Sequence, residues 1–121
     1  MTYTIDVLNE RPLLRITMRG FWTMETFNAY VRDCGAAIQK LVAGHGRFDM
    51  LSDCNGFPVQ GPDVSAGFER LKEMGSPAPQ NRIAIVSSSA LSRMQAERLM
   101  GGPHSRIFAS EIAALEWLGH A

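Results

Sequence analysis

The stretch RIAIVSSSAL, at residues 82–91, holds a short apolar run that ends in three serines. An apolar run without alternation is typical of a strand that is covered on both faces, as in a parallel sheet. Ser88 or Ser89 can cap a following helix, because a serine hydroxyl accepts a hydrogen bond from the free amides of a first helical turn. We therefore predict a buried strand from Arg82 to Ser87 that leads directly into a helix.

The chain before this stretch begins with two alternating segments. Apolar residues alternate with polar ones from Tyr3 to Val7 and again from Leu14 to Met18, with turn residues 9–12 between them. This pattern predicts a hairpin of two half-buried strands. Thr23 is placed to cap a long amphipathic helix that starts near Met24 and stops at Gly44 and Gly46.

The middle of the chain alternates between regular and irregular segments. A third strand is predicted from Arg47 to Cys54, with a mixed pattern. The loop from Asn55 to Pro62 contains two glycines and two prolines and is therefore expected to be irregular. Asp63 is predicted to cap a second helix, and Ser76 to Gln80 to connect that helix to the apolar run.

The chain after the apolar run predicts two more helices and one strand. The first helix is terminated by Gly101, Gly102 and Pro103, and Ser110 caps the last one. The fifth strand is expected at Arg106 to Ala109. The apolar positions assigned to these two helices are Leu91, Met94 and Leu99 in the first, and Ile112, Leu115 and Leu118 in the second.

Strands that alternate with helices predict one α/β domain over residues 1–121, in the order β-β-α-β-α-β-α-β-α. Right-handed crossovers then give a mostly parallel five-stranded sheet with the first strand antiparallel at its edge. Ligands of such sheets usually meet the loops at the carboxyl ends of the strands. Those loops are expected at residues 20–23, 55–62, 87–89 and 109–110.

Composition excludes several classes of function. The 121 residues are 45% hydrophobic and 8% aromatic, and 12 basic residues balance 12 acidic ones. A net charge of zero gives no general attraction for nucleic acid or anionic membranes. No apolar run approaches the roughly 20 residues that span a bilayer, and the first residues do not form a signal peptide. The expectation is a soluble cytoplasmic protein, and weak charge repulsion is compatible with a homodimer.

The chain carries no strong catalytic or metal-binding motif. Cys34 falls on the apolar stripe of the first helix, where a buried position is expected. Cys54 closes the third strand beside Asp53 and Asn55, either as a reactive thiol or as a buried strand end. The histidines stand in turns or at the terminus, so no metal site, no cofactor and no enzymatic activity are predicted. A dyad of Cys54 with His104 would need the fold to bring the two together.

The loop from Asn55 to Pro62 is the preferred candidate for a binding site. Phe57 and Val59 contact a protein partner or an apolar ligand, or else Phe57 packs back onto the second helix. Ser88 and Ser89 either hold an anion or simply cap their helix. Met50, Met74, Met94 and Met100 are either an adaptable pocket lining or ordinary core residues. The candidate binding residues are Asp53, Cys54, Asn55, Phe57, Val59, Asp63, Ser88 and Ser89.

The order of elements and a few local sequences carry a family resemblance. They are the Gly20 turn, the stop at Gly44 to Gly46, the run from Arg82 to Val86, and the ending at Trp117 and Leu118. The chain resembles bacterial STAS-like proteins related to the sporulation anti-anti-sigma factor, a fold that is also similar to CRAL-TRIO lipid-transfer domains. The resemblance covers Tyr3 to Leu118 and implies a β-α superhelix, often dimeric, that works by partner binding, signalling or ligand sensing.

The resemblance also implies a modification site. Regulatory members carry an Asp-Ser pair followed closely by Gly at the start of the helix after the third strand, and the Ser is phosphorylated. Here that stretch reads GPDVSAG at residues 61–67, so the adjacent pair is missing. Ser65 lies near the expected position, where it is either a phosphorylation site or an ordinary first-turn residue.

Three hypotheses follow for the function. The first is a non-enzymatic regulatory or protein-interaction module, and the second is a carrier or sensor of a small apolar ligand or lipid. The third, a thiol-dependent enzyme centred on Cys54, is the least favoured because no catalytic signature supports it.

Overall fold

The computed structural model describes residues 2–74 and 82–120. These residues form five strands and four helices in the predicted order. The elements are β1 (Tyr3–Leu8), β2 (Leu13–Arg19), α1 (Met24–His45), β3 (Asp49–Gly56), α2 (Pro62–Met74), β4 (Ile83–Val86), α3 (Ala90–Met100), β5 (Ser105–Phe108) and α4 (Glu111–Leu118). The predicted connection at Ser76 to Gln80 lies outside the described residues.

The strands form one sheet in the order β1-β2-β3-β4-β5. β1 is antiparallel to β2, and the other neighbouring pairs are parallel. This arrangement confirms the predicted α/β fold with its antiparallel first strand at the edge. Each parallel crossover passes through a helix, so the carboxyl ends of β2 to β5 and the first turns of α1 to α4 lie at the same end of the sheet.

Helices cover both faces of the sheet, which explains the uninterrupted apolar run of β4. Successive side chains of a strand point to opposite faces. Ile85 joins the larger apolar cluster, which contains residues of α1, α2 and α3. Ala84 and Val86 join a smaller cluster with Ala114 and Leu118 of α4. Three helices therefore pack on one face of the sheet and α4 packs on the other.

Side-chain caps begin three of the helices as predicted. The hydroxyls of Thr23, Ser89 and Ser110 accept hydrogen bonds from the amides three residues later, at 3.2, 3.1 and 3.2 Å. Gly46 ends α1 with a φ of +78°, a conformation that favours glycine. The prediction for Gly44 is wrong, because that residue lies inside α1. A helix tolerates an interior glycine at a cost of only about 1 kcal/mol.

The predicted apolar positions of the last two helices are partly wrong. Leu91 and Met94 of α3 are 69% and 68% exposed, and Ile112 of α4 is 71% exposed. α3 instead buries Ser92, Gln95, Ala96 and Leu99. Two of these buried residues are polar and hydrogen-bond to the loop after β3, so a hydropathy pattern could not identify them.

The third strand and the helix after it differ from prediction by one or two residues. β3 begins at Asp49 and ends at Gly56, two residues later than predicted at each end. Asp49 can start a buried strand because its carboxylate accepts a hydrogen bond from the Arg82 amide at 3.1 Å and contacts His120 at 3.3 Å. α2 begins at Pro62, a residue suited to a first helical position, so Asp63 lies in the first turn and not at the cap.

Candidate functional site

The candidate site is the end of the sheet where the parallel strands finish. We call residues 20–23, 55–62, 87–89 and 109–110 the rim. Asn55 accepts a hydrogen bond from the Ser88 amide through its Oδ1 at 3.0 Å. The Ser92 hydroxyl lies 3.3 Å from the Cys54 carbonyl oxygen and 3.4 Å from that of Phe57, and it can donate to either. The structure therefore brings the predicted residues Cys54, Asn55 and Ser88 together.

Two buried glutamines fix the loop between β3 and α2. The backbone amide of Gln60 donates to Gln95 Oε1 at 2.7 Å, and Gln95 Nε2 donates to the Pro58 carbonyl at 3.0 Å. Gln60 Oε1 accepts from the Trp22 amide at 2.7 Å, and Gln60 Nε2 donates to the carbonyls of Gly20 and Pro58. The sequence alone does not identify either glutamine, because neither belongs to a motif and the partners are far apart in the chain.

Phe57 and Val59 have different environments although they lie on the same loop. Phe57 is 1% exposed and its ring packs edge-on against Trp22, with the ring centroids 5.0 Å apart. The centroid of the Phe57 ring lies 6.0 Å from that of the Phe68 ring on α2. Packing onto α2 is therefore the correct alternative for Phe57, which is not available to a partner. Val59 is 51% exposed and remains available.

Phe21 adds a second exposed apolar side chain beside this loop. It is 65% exposed, and its ring lies over Gly61, where an added Cβ would come within 3.3 Å of the ring. The sequence alone does not identify Phe21, because one aromatic residue in a turn gives no periodic signal. Leu91 and Ile112 are also exposed, in the first turns of α3 and α4. Exposed apolar side chains thus accompany the β2–α1, β3–α2, β4–α3 and β5–α4 connections.

Asp53 is held in an ion pair inside the sheet end. Its Oδ2 lies 3.0 Å from Arg19 Nη2, and its Oδ1 accepts a hydrogen bond from the Asn55 amide at 3.1 Å. The absence of a side chain at Gly56 makes room for Arg19, since an added Cβ would lie 2.4 Å from Arg19 Cδ. Asp53 therefore stabilises the backbone where β3 enters the rim.

Asp63 and Ser65 lie in the first turn of α2. Asp63 Oδ1 accepts a hydrogen bond from the Val64 amide at 2.8 Å. The Ser65 hydroxyl is half-buried and donates to the Gln60 carbonyl at 3.4 Å. Phosphorylation of Ser65 stays a prediction, and Ser65 has an ordinary role in joining the loop to the helix.

The two cysteines are buried, and neither is poised as a nucleophile. Burial raises the pKa of the Cys54 thiol to about 12 and that of the Cys34 thiol to about 11. The Cys54 Sγ lies 3.7 Å from the Met18 sulfur. Cys54 lies near the carboxyl end of β3, whereas His104 precedes β5 at the opposite end of the sheet, so the dyad does not form. Among residues 2–74 and 82–120, no group of three or more His, Cys, Asp or Glu side chains could hold a metal ion.

The methionines do not form a common pocket lining. Met74 and Met94 are 80% and 68% exposed, and Met50 and Met100 are half-buried against the larger cluster. Met94 borders an open groove of about 750 Å³ between α3 and β5, which also contains Arg93, Glu97 and Ile107. Binding of a small apolar ligand or lipid stays a prediction. In the described part of the chain, no helix is long and apolar enough to cross a membrane.

Comparisons with known proteins agree with this architecture. A family model described as SpoIIAA-like matches residues 13–119. Among solved structures, the chain is similar to an uncharacterized protein of the DUF3478 family with a SpoIIAA-like fold from Shewanella loihica PV-4. The TM-score is 0.68 at 18% identity, over 96% of this chain and 91% of that chain. At this identity the likeness concerns the fold. No curated protein matches the chain.

Proposed function

The chain belongs to the SpoIIAA-like family, and we propose that it is a non-enzymatic regulatory module that binds a protein partner through its rim. The observation that carries this proposal is the pair Phe21 and Val59. Both are large apolar side chains that are more than half exposed, on adjacent loops at the end of the sheet where α/β proteins bind ligands. Exposed apolar side chains grouped on one surface mark interaction sites.

The loop under these side chains is rigid, which favours recognition. Phe57 anchors it in the core, and Gln60 and Gln95 satisfy its backbone from both sides. A loop that is already ordered loses little conformational entropy when a partner binds. The loop can therefore present Val59 in one fixed arrangement.

The polar and thiol groups at the rim and directly beside it favour binding over catalysis. The Cys54 thiol is buried with a raised pKa, so little of the reactive thiolate is present near neutral pH. Asp53 is already paired with Arg19, and Ser89 is occupied in capping α3. These groups support the shape of the surface and leave the contact itself to apolar side chains.

The test is affinity capture from extracts of the cells that express the protein. Replacing Phe21→Ser and Val59→Ser together should reduce recovery of the specifically retained partner by about tenfold or more, because exposed aromatic anchors contribute strongly to interfaces. The fold should be preserved, since both side chains are exposed.

The matched control carries Leu8→Ser and Met74→Ser, which also remove two exposed apolar side chains. Leu8 ends β1 and Met74 ends α2, both away from the rim. The control should capture the partner as well as the unchanged protein does. The proposal is wrong if the rim variant retains the same proteins in the same amounts, provided that both variants have the unchanged circular dichroism spectrum.

A further inference from the structure

We infer that the free edge of β1 is an interface between two copies of this chain, which pair antiparallel through β1 and join their sheets into one. The residues of this surface do not belong to the rim, and the inference does not depend on the function proposed above. β1 is the first strand of the sheet, so its far side has no neighbour among the described residues. An edge strand offers unpaired amides and carbonyls to another chain.

The hydrogen bonds between β1 and β2 show which residues of β1 face the free edge. The Arg19 amide donates to the Thr2 carbonyl at 2.8 Å, so the backbone groups of residue 2 point toward β2. Backbone groups of alternate residues in a strand point to opposite sides, and the β1–β2 register runs without a shift from Tyr3 to Leu8. The backbone groups of Thr4 and Asp6 therefore also point toward β2. Those of Tyr3, Ile5 and Val7 point toward the free edge.

The backbone groups of these three residues can pair with those of the same three residues in a second copy. With Ile5 opposite Ile5 of the second copy, Tyr3 lies opposite Val7 and Val7 opposite Tyr3. Each of the three pairs can exchange two backbone hydrogen bonds, as antiparallel pairing requires. The arrangement has a two-fold axis at Ile5 and closes after two copies. Asp6 then lies opposite Thr4, so the two Asp6 carboxylates do not face each other.

The charges on α1 match the same two-fold axis. α1 borders β1, and the groove between them, of about 490 Å³, is lined by Tyr3, Ile5 and Val7 from the strand and by Asp33, Ala36, Ala37 and Lys40 from the helix. The Tyr3 hydroxyl donates to Asp33 at 2.7 Å, which places Asp33 at the start of β1.

Both β1 and α1 run opposite to β2, so Lys40 lies toward the other end of β1. The two-fold axis brings Asp33 of one copy to the level of Lys40 of the second copy, and the reverse. The small residues Ala36 and Ala37 lie halfway between these charges and allow the two helices to approach.

The opposite edge of the sheet is a poorer candidate. β5 has only four residues, and β1 has six. The bonds from the Ile83 and Ser87 amides to the carbonyls of His104 and Phe108 turn the even-numbered residues of β5 toward β4. Only Ser105 and Ile107 then face outward, and the Ser105 amide already donates to the Gly102 carbonyl. β1 also has no proline and no bulge, two features that protect edges in other proteins.

The register is tested by crosslinking two variants that each gain one exposed cysteine. Thr4→Cys and Asp6→Cys change exposed side chains, and the two native thiols are buried. The proposed pairing places Thr4 opposite Asp6 of the second copy, at the Cα separation of about 4.5 Å that is usual for a non-hydrogen-bonded pair and suits a disulfide. Mild oxidation of the mixture should give a mixed disulfide dimer. Either variant alone should give at least about fivefold less, since like positions lie diagonally apart.

Sedimentation velocity tests the association itself. The unchanged protein should sediment as a dimer at about 100 μM. Lys40→Glu should raise the dissociation constant by about tenfold, because the new carboxylate of each copy would then face the Asp33 carboxylate of the other. Arg70→Glu, an equal charge change on exposed α2, should have no such effect, and Asp33→Lys together with Lys40→Glu should restore the dimer. A monomer at this concentration overturns the inference, and so do equal crosslinking yields in the mixture and in each variant alone. The rim variant should remain a dimer, so failure of one proposal is distinguishable from failure of the other.

Discussion

Burial changes the chemistry of the two thiols, and this leads to a labelling prediction. A pKa of about 12 for Cys54 leaves about one thiolate in ten thousand at pH 8. The disulfide reagent DTNB should therefore modify neither Cys54 nor Cys34 within an hour in the native protein, and both within minutes in 6 M guanidinium chloride. Glu10→Cys, in an exposed turn, is the positive control and should react at once. Rapid native labelling of Cys54 would contradict its burial and revive the thiol-enzyme hypothesis.

The same shifts set the direction of a pH effect on stability. Each folded-state pKa lies above the ordinary thiol value near 9, so between about pH 9 and pH 12 the unfolded chain binds fewer protons than the native one. The free energy of unfolding contributed by these groups is fully present below pH 9 and is lost as the pH rises through that window.

Single residues were predictable where the interaction is local. Thr23, Ser89 and Ser110 cap their helices through amides three residues away, and sequence alone contains both partners. Phe57 illustrates the opposite case, because its burial depends on Trp22, which lies 35 positions earlier in the chain and was not identified as a partner. The sequence could therefore place the candidate loop but could not decide which of its apolar side chains faces solvent.

At the scale of elements, the β3–α2 loop depends on a helix that follows it in the chain. α3 supplies Gln95, which bonds the Gln60 amide and the Pro58 carbonyl. Gln95→Ala leaves the buried Gln60 amide without its partner, so the free energy of unfolding should fall by about 1–3 kcal/mol. Urea denaturation measures this change. Arg93→Ala, an exposed neighbour on α3, should change it by no more than about 0.5 kcal/mol. Equal effects of the two substitutions would show that the glutamine does not hold the loop.

The elements themselves were largely predictable, because periodicity reports which face is buried. The order, the parallel sheet and the antiparallel β1 all follow from it. The hydropathy pattern predicted the wrong buried face for part of α3, where Leu91 and Met94 are exposed and Ser92 and Gln95 are buried. The reason is that hydrogen bonds to another loop, and not apolar contacts, orient that face of the helix.

At the scale of the whole molecule, a set of polar contacts joins residues 118–120 to the amino ends of β3 and β4. His120 contacts the Asp49 carboxylate at 3.3 Å, and Arg82 Nη2 donates to the Leu118 carbonyl at 3.2 Å. The Arg82 guanidinium also lies over the Trp117 ring, 5.1 Å from its centroid. These contacts hold α4 on the face of the sheet opposite to Trp22, which belongs to the larger cluster.

If the chain is one cooperative domain, weakening this C-terminal contact must destabilise the distant cluster equally. Asp49→Ala removes the partner of His120 and of the Arg82 amide, which should cost about 1–3 kcal/mol and lower the urea midpoint by about 1 M. The reference is Trp117→Phe, in which Trp22 is the sole tryptophan and its fluorescence reports on the opposite face of the sheet. Adding Asp49→Ala to that reference should shift the fluorescence transition and the far-ultraviolet circular dichroism transition together. A single domain unfolds both clusters in one transition. If the midpoint of the Trp22 fluorescence transition stayed in place while the dichroism transition moved or split, α4 and the apolar cluster beneath it would unfold as a separate unit.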